Sequence, residues 1–288
     1  MIFNRLIPGN IQKAVAPVRY PFLWNAAIQD HTQWPGFAGN GDTILSLARN
    51  LGEVCGVLAN FPPQNAWYGI DHLDMNSANF PGLLTLEGLI KKIGPPQWPW
   101  TVDSTLADRG QAVFSRSTAH GGCGDRHGIK PVDSSIRILG MAVLGSIEHY
   151  RLGNPITCAV DGNSVGLSQR PKVGGLKRLY RLASADAAYE SRVLQGIWAA
   201  APYLHNGSVP TLAQLLTPAA HRVKSLAVGP NYDPVNVGLA STRTKFGYTF
   251  QATGCSNINS GNSNCGREYG TTLSPADKAA LLEYLKTL

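Results

Sequence analysis

Charge is scarce in this chain: Asp, Glu, Lys and Arg supply 15% of 288 residues, against roughly 25% in an ordinary soluble protein. No run approaches the roughly eighteen consecutive apolar residues of a membrane-spanning helix. The opening Met1–Gly9 holds no apolar stretch long enough for a secretory signal. As written, the chain is therefore expected to be soluble and unexported. The excess of Lys and Arg over Asp and Glu gives +7, yet the only adjacent basic pairs are Lys91-Lys92 and Lys177-Arg178. A nucleic-acid binder concentrates such residues in a stripe, so the excess reads as solubility or as a weak docking face for an acidic partner. No internal repeat, collagen period, coiled-coil heptad or low-complexity tract occurs. P-loop, G-x-G-x-x-G, H-E-x-x-H and G-x-S-x-G motifs are also lacking.

What is present is apolar and rich in turn-formers. Hydrophobic residues make up 43%, with ten Tyr, eight Phe and six Trp, enough surface to offset chain entropy and exclude disorder. Gly 31 and Pro 19 exceed the average share and point to a loop-rich fold. A helix is predicted after Asp42, where Ile44, Leu47, Ala48, Leu51, Val54, Cys55 and Leu58 recur at helical spacing. Others are predicted over 83–93, 106–118 and 135–150, with short ones over 193–198 and 211–216. The last is well marked: Ser274 as N-cap, Pro275 in the first turn and Asp277 closing a capping box. The class is mainly α with long loops. Gly94-Pro95-Pro96-Gln97-Trp98-Pro99-Trp100 reads as a linker or lid, dividing a partial, mostly α and irregular region (1–103) from a second domain (104–288).

Five cysteines, an odd count, are Cys55, Cys123, Cys158, Cys255 and Cys265. Cys123-Gly124-Asp125-Arg126-His127 has the first Cys and the His of the C-x-x-C-H haem-attachment pattern, with Arg126 in the second Cys position. Taken alone, such spacing is more often an incidental Cys and His in a turn. Cys255 and Cys265 lie in a Ser/Asn/Gly-rich loop, either paired in an oxidising compartment or as two thiols. His205 either orders a loop near a cofactor or holds a structural hydrogen bond in an Asn-Gly turn. Trp24, Trp34, Trp98 and Trp100 read first as aromatic packing, and second as an electron relay.

Context gives the motif its meaning. Ala112-Val113-Phe114, then Cys123 and His127, then Gly128-Ile129-Lys130-Pro131 resembles the start of a class I cytochrome c. Leu273 to Leu285 is similar to the closing helix that packs across the first helix there. Ala201-Pro202-Tyr203-Leu204-His205-Asn206-Gly207-Ser208-Val209-Pro210-Thr211-Leu212 resembles a segment of bacterial di-haem cytochrome c peroxidases. Pro21–Asn25, Thr32–Trp34, Leu47–Val54, Gln195–Trp198 and Gly266–Thr271 extend the resemblance to the rubber-oxygenase-like branch over nearly the whole chain. The resemblance implies a C-terminal, class I cytochrome c-like haem domain working in the periplasm or outside the cell. One haem c would be held by a single thioether at Cys123, with His127 as proximal iron ligand. It implies electron exchange with a small redox protein or a second haem domain, and peroxide or oxygen as candidate substrates.

Three departures accompany it: Arg126 in place of a Cys, Arg267 where the family carries a distal His, and no first haem motif or signal. A guanidinium has no lone pair for iron, so the resemblance implies an open distal side beside Arg267, or closure by His120, His149, His205 or Met141. An alternative of another class is a haem-poor or haem-free homologue, acting as a binding or scaffold module or without function.

Overall fold

The computed structural model describes residues 17–26, 31–32, 38–39, 43–60, 62, 64–71, 74–124, 127, 137–138, 141–142, 156–157, 188–189, 194–242, 245, 247–256, 260–265 and 268–288. Its helices are α1 (Thr43–Glu53), which continues as a π-turn over Val54–Leu58, α2 (Phe80–Ile90), α3 (Ser104–Phe114), α4 (Leu212–Leu215) and α5 (Pro275–Thr287). The strands among the described residues are two or three residues long and pair as antiparallel two-stranded ladders. One of the three-residue registers joins Ser225–Ala227 to Thr249–Gln251, with Leu226 opposite Phe250. Those two side chains and Ala252 form a small apolar cluster of their own. The helix expected over 135–150 does not form at its centre. Arg137–Ile138 and Met141–Ala142 pair there as strands, with only Leu139-Gly140 between them, a spacing that suits a tight hairpin better than a helical turn.

The helix ends follow local chemistry. Asp103 caps α3 by accepting from the Leu106 N–H at 2.9 Å, and Ser274 caps α5 by accepting from Asp277 N at 3.1 Å. Each satisfies a donor that the first helical turn leaves unpaired. The Asn79 side chain does the same for α2 through Gly82 N, ahead of Pro81. Between α1 and α2, Glu87 is buried and accepts from Arg49 and Asn50.

α3 and α5 form the principal helix pair. They run antiparallel: Asp103 N donates to Glu283 Oε1 at 2.9 Å at one end, and Arg116 Nη1 pairs with Asp277 Oδ2 at 3.0 Å at the other. Gly110 sets their separation. A methyl group there would lie 2.0 Å from the Ala280 carbonyl oxygen, so only a residue without Cβ permits this approach. Val113 and Phe114 of α3 meet Leu281 and Leu285 of α5 in one core with Leu212, Leu216, Tyr203, Val209 and Val237. Burying side chains of this size stabilises by about 1.5–3 kcal/mol each. From the N-terminal part of the chain, Phe22, Trp24 and Trp98 also pack against this core. Trp24 stacks on Phe22 at 4.7 Å and donates its indole N–H to Gln195 O at 2.8 Å. Among the described residues no helix is long and apolar enough to cross a membrane.

Candidate functional site

At the end of α3 the chain reverses and lays the Cys123 segment back on the helix. The Phe114 carbonyl, released by the end of the helix, accepts from both Cys123 N and Gly124 N at 2.8 Å. Ser117 O accepts from His120 N at 2.9 Å and Gly122 N at 3.0 Å. Two glycines make this close approach possible. A Cβ on Gly122 would fall 1.8 Å from Arg116 O, and Gly121 takes φ 78°. His127 N then donates to Cys123 O at 2.8 Å. That i to i+4 bond has the spacing of one α-helical turn. Both residues are half-buried, and Cys123 packs against the principal core. Arg126, between them, lies outside the described residues. The Ser117 hydroxyl sits 2.8 Å from His120 Nδ1.

A second loop faces the same core. Tyr203 N donates to Val209 O at 2.6 Å, closing a loop that contains His205 and the Asn206-Gly207 turn. Leu204, with φ 65°, and Val237, with φ 57°, both hold left-handed backbone, which side chains adopt only where their surroundings over-determine it. Those surroundings are visible. Asn206 is buried and its amide donates to Gly261 O at 2.9 Å and Ser263 O at 2.8 Å. Arg222, also buried, donates to Thr217 O at 3.0 Å, Asn264 O at 2.9 Å and Leu215 O at 3.2 Å. Arg19 donates to the carbonyls of Ala200 and Pro202. Asn206 therefore supplies structural hydrogen bonds that hold the Asn-Gly turn to its neighbours. His205 is half-buried, with its backbone carbonyl accepting from Arg19 N at 2.8 Å.

The segment that follows, 260–273, closes on both loops. Cys255 and Cys265 form a disulfide with Cα atoms 4.8 Å apart, so the two are a pair rather than separate thiols. Glu268 accepts from Ala219 N at 2.9 Å. Gly270, at φ 69°, lies against Leu216 and within 3.9 Å of Gly121 O as measured from its would-be Cβ. Gly270 thus lies beside the Cys123 turn. Arg267 itself lies outside the described residues, as does His149. Met141 is described only as strand backbone.

Trp98 and Trp100 do not join Trp24. They form a cluster with Trp198 and Tyr232, which periodicity does not predict, since those rings come from segments about 100 and 130 positions away. Trp34 is outside the described residues. Burial pushes the Tyr203 and Tyr232 phenols upward from 10.0, Tyr203 far upward. The Tyr232 hydroxyl donates to Trp198 O at 2.8 Å, and the Tyr203 hydroxyl lies 3.1 Å from Val237 O.

Comparison with known proteins points at the same region. Residues 188–226, which include the 203–209 loop, α4 and Arg222, match the family described as RoxA-like, cytochrome c-like. The chain therefore carries a cytochrome c-like segment, and it shares its apolar core with the Cys123 turn. The uncharacterized protein y4iJ of Sinorhizobium fredii is 28% identical over an alignment that covers 98% of this chain and 56% of that protein. A second uncharacterized protein of the same organism, y4iM, is also 28% identical, with 76% of this chain and 48% of that protein covered. The chain spans about half the length of these curated relatives.

The donor set fits a covalently attached haem with a single bond. Cys123 supplies the one thiol of the motif, His127 supplies an imidazole four positions on, and Cys123 packs against the apolar core. Two thioethers do not fit, because position 126 carries no sulfur.

Proposed function

We propose that this chain is a c-type cytochrome domain of class I architecture. Cys123 would hold one haem c through a thioether and His127 would supply an iron ligand, and the domain would exchange electrons with a small redox protein or a second haem domain. The α-turn from Cys123 to His127, clamped to the end of α3 and sharing its core with the cytochrome c-like segment, carries this reading. When bound, haem supplies a reversible one-electron couple, and its protein-side tuning comes from axial ligand, burial and local charge. The chain's own residues fix the attachment point. Phe114 O holds the Cys123 and Gly124 amides, and the Cys123–His127 backbone bond sets the imidazole one turn beyond the thiol.

The Cys255–Cys265 disulfide supports residence in the periplasm or outside the cell, since such bonds persist in oxidising compartments. Peroxide or oxygen chemistry requires an open distal side. The guanidinium of Arg267 in the family's histidine position supports that form, because Arg donates hydrogen bonds and cannot ligate iron. A specific observation also favours the alternative, a haem-poor binding or scaffold module. Only one of the two thiols that c-type maturation uses is present.

Expression with a c-type maturation system separates the two. Haem staining on a denaturing gel, a Soret band and a pyridine haemochrome spectrum displaced by one unreacted vinyl group are expected. Cys123→Ser should lose the covalent stain. Protein that folds but carries no stain and no Soret band excludes the cytochrome reading and leaves the module.

A further inference from the structure

We propose that Tyr203, Tyr232, Trp98, Trp198 and Trp100 form a one-electron relay that leads from the cytochrome core to the surface and ends on Trp100. It rests on the haem reading only for its natural oxidant. The rings of Trp98, Trp100, Trp198 and Tyr232 are in mutual contact. Trp98 and Trp100 are 4.7 Å apart between centroids, Trp98 and Trp198 5.4 Å, Trp198 and Tyr232 6.1 Å, and Trp100 stacks on Tyr232 at 5.4 Å with 12° between planes. Tyr203 belongs to the core that Cys123 packs against. Its hydroxyl and that of Tyr232 converge on Trp198 O, at 3.3 and 2.8 Å.

Direction comes from where the lost proton can go. Oxidised tyrosine must shed its hydroxyl proton, but Tyr203 and Tyr232 face backbone carbonyls, which do not accept a proton outright. Burial raises both phenols, which disfavours the same loss. Trp198 donates its indole N–H to Pro96 O at 3.1 Å, again a carbonyl. Trp98 has its indole nitrogen buried with no hydrogen-bond partner among the described residues. It also carries the Lys286 ammonium 5.2 Å over its ring, where a positive charge opposes a second one on the indole. Trp100 is 46% exposed, so water can take its proton. A strong one-electron oxidant at the Cys123 turn, the class that includes peroxide-treated haem and ruthenium(III) polypyridyls, gains one electron. Trp100 loses that electron to the relay and its indole proton to water, leaving a neutral indolyl radical. A one-electron donor at the surface, with a proton from water, restores the indole.

The test needs no haem. A ruthenium polypyridyl is attached to Cys123 in the Cys55→Ser, Cys158→Ser background. A flash with a cobalt(III) acceptor then generates ruthenium(III) in place. Transient absorption and electron paramagnetic resonance should show the indolyl radical, and peptide mass spectrometry after illumination should find oxygen on Trp100. Trp67 lies outside the cluster and is 96% exposed, so oxidation through solution would mark it first. Trp100→Phe, with folding checked by circular dichroism, should lose the radical, and Trp67→Phe should not. Equal oxidation of Trp67, or an unchanged radical in Trp100→Phe, overturns the relay. Where the protein stains for haem, peroxide replaces the flash in unlabelled protein, and the same peptide map supports or overturns the relay in the same way. Haem staining decides the cytochrome reading separately, so the two fail independently.

Discussion

Replacing Gly110 with alanine tests the helix crossing on which the site rests. The new Cβ would stand 2.0 Å from Ala280 O, 2.6 Å from Ala280 C and 2.7 Å from Tyr284 Cβ. Ordinary contact begins near 3.4 Å, so α3 and α5 must part locally by about 1.4 Å. Two of the three atoms are backbone, and no rotamer change relieves them. Parting also loosens Val113 and Phe114 against Leu281 and Leu285, all buried. Overpacking of this kind costs about 1–3 kcal/mol, and a clash against backbone belongs at the upper end. Alanine recovers about 1 kcal/mol of helix propensity relative to glycine, which leaves a net loss of about 2 kcal/mol. Urea unfolding followed by far-ultraviolet circular dichroism measures it, read as a lower midpoint at unchanged slope. Gly88→Ala is the control, since nothing lies within 4 Å of its would-be Cβ. It should be neutral or stabilising. Gly110→Ala with wild-type or greater stability would refute the idea that the glycine sets the crossing.

Four further outcomes are expected. Reduction of Cys255–Cys265, whose partners are separated by 10 positions, should lower stability by about 2–3 kcal/mol on the loop-entropy estimate, measured by denaturation with and without reductant. Asn206→Ala removes two hydrogen bonds from a buried amide to half-buried carbonyls and should cost about 1–3 kcal/mol, with faster proteolysis within 260–265. Tyr203 keeps its proton above the ordinary phenol value of 10.0. Its contribution is therefore fully present below pH 10 and declines as pH rises, because the unfolded phenol ionises first. The slope is up to about 1.4 kcal/mol per pH unit, and Tyr203→Phe should flatten it in alkaline denaturation. Arg126→Cys should raise covalent haem attachment and move the pyridine haemochrome band to the position for two reacted vinyl groups. Adding Gly122→Ala should abolish that gain, through the 1.8 Å clash with Arg116 O.

The parts of the fold legible in the sequence are those set by local chemistry. The capping box at Ser274-Pro275-Ala276-Asp277 places the start of α5 to the residue, and the Gly/Cys/His turn after α3 is evident from its composition. The helix expected over 106–118 ends instead at Phe114, because the Phe114 carbonyl is taken by the returning Cys123 segment rather than by a further helical turn. Long-range pairings are not readable in the same way. Asn206 finds its acceptors 55 and 57 positions away, and Trp98 meets Trp198 across 100 positions. Aromatic type alone does not say which rings meet: Trp24 reads as a companion of Trp98 and Trp100, yet it stacks on Phe22. At 135–150 the apolar spacing suits a helix, but β-branched Ile136, Ile138 and Val143 around Gly140 suit paired strands equally, and period alone does not decide between them.

The turn and the covalent bond proposed for it are separable, and that bears on the meaning of the single thiol. Among the described residues of this turn, the backbone hydrogen bonds run from two amides to Phe114 O, from two more to Ser117 O and from one to Cys123 O, with the Ser117 hydroxyl beside His120 Nδ1 as a side-chain contact. The steric requirement falls on Gly122 and Gly121. A cysteine at position 126 would add sulfur to this turn without being needed to form it. With Arg126 in place, Cys123 is the one thiol the motif offers, while the Cys123–His127 backbone bond, the Gly110 crossing and the Gly270 contact are all present. Gly110 answers to stability through α5. Gly122 packs against the turn itself, on the side that presents Cys123, which makes the Gly122 position the sharper discriminator between a cytochrome and a scaffold. In a scaffold Gly122→Ala should cost stability only in proportion to its overpacking. In a cytochrome it should also cost haem attachment at temperatures where the variant remains folded.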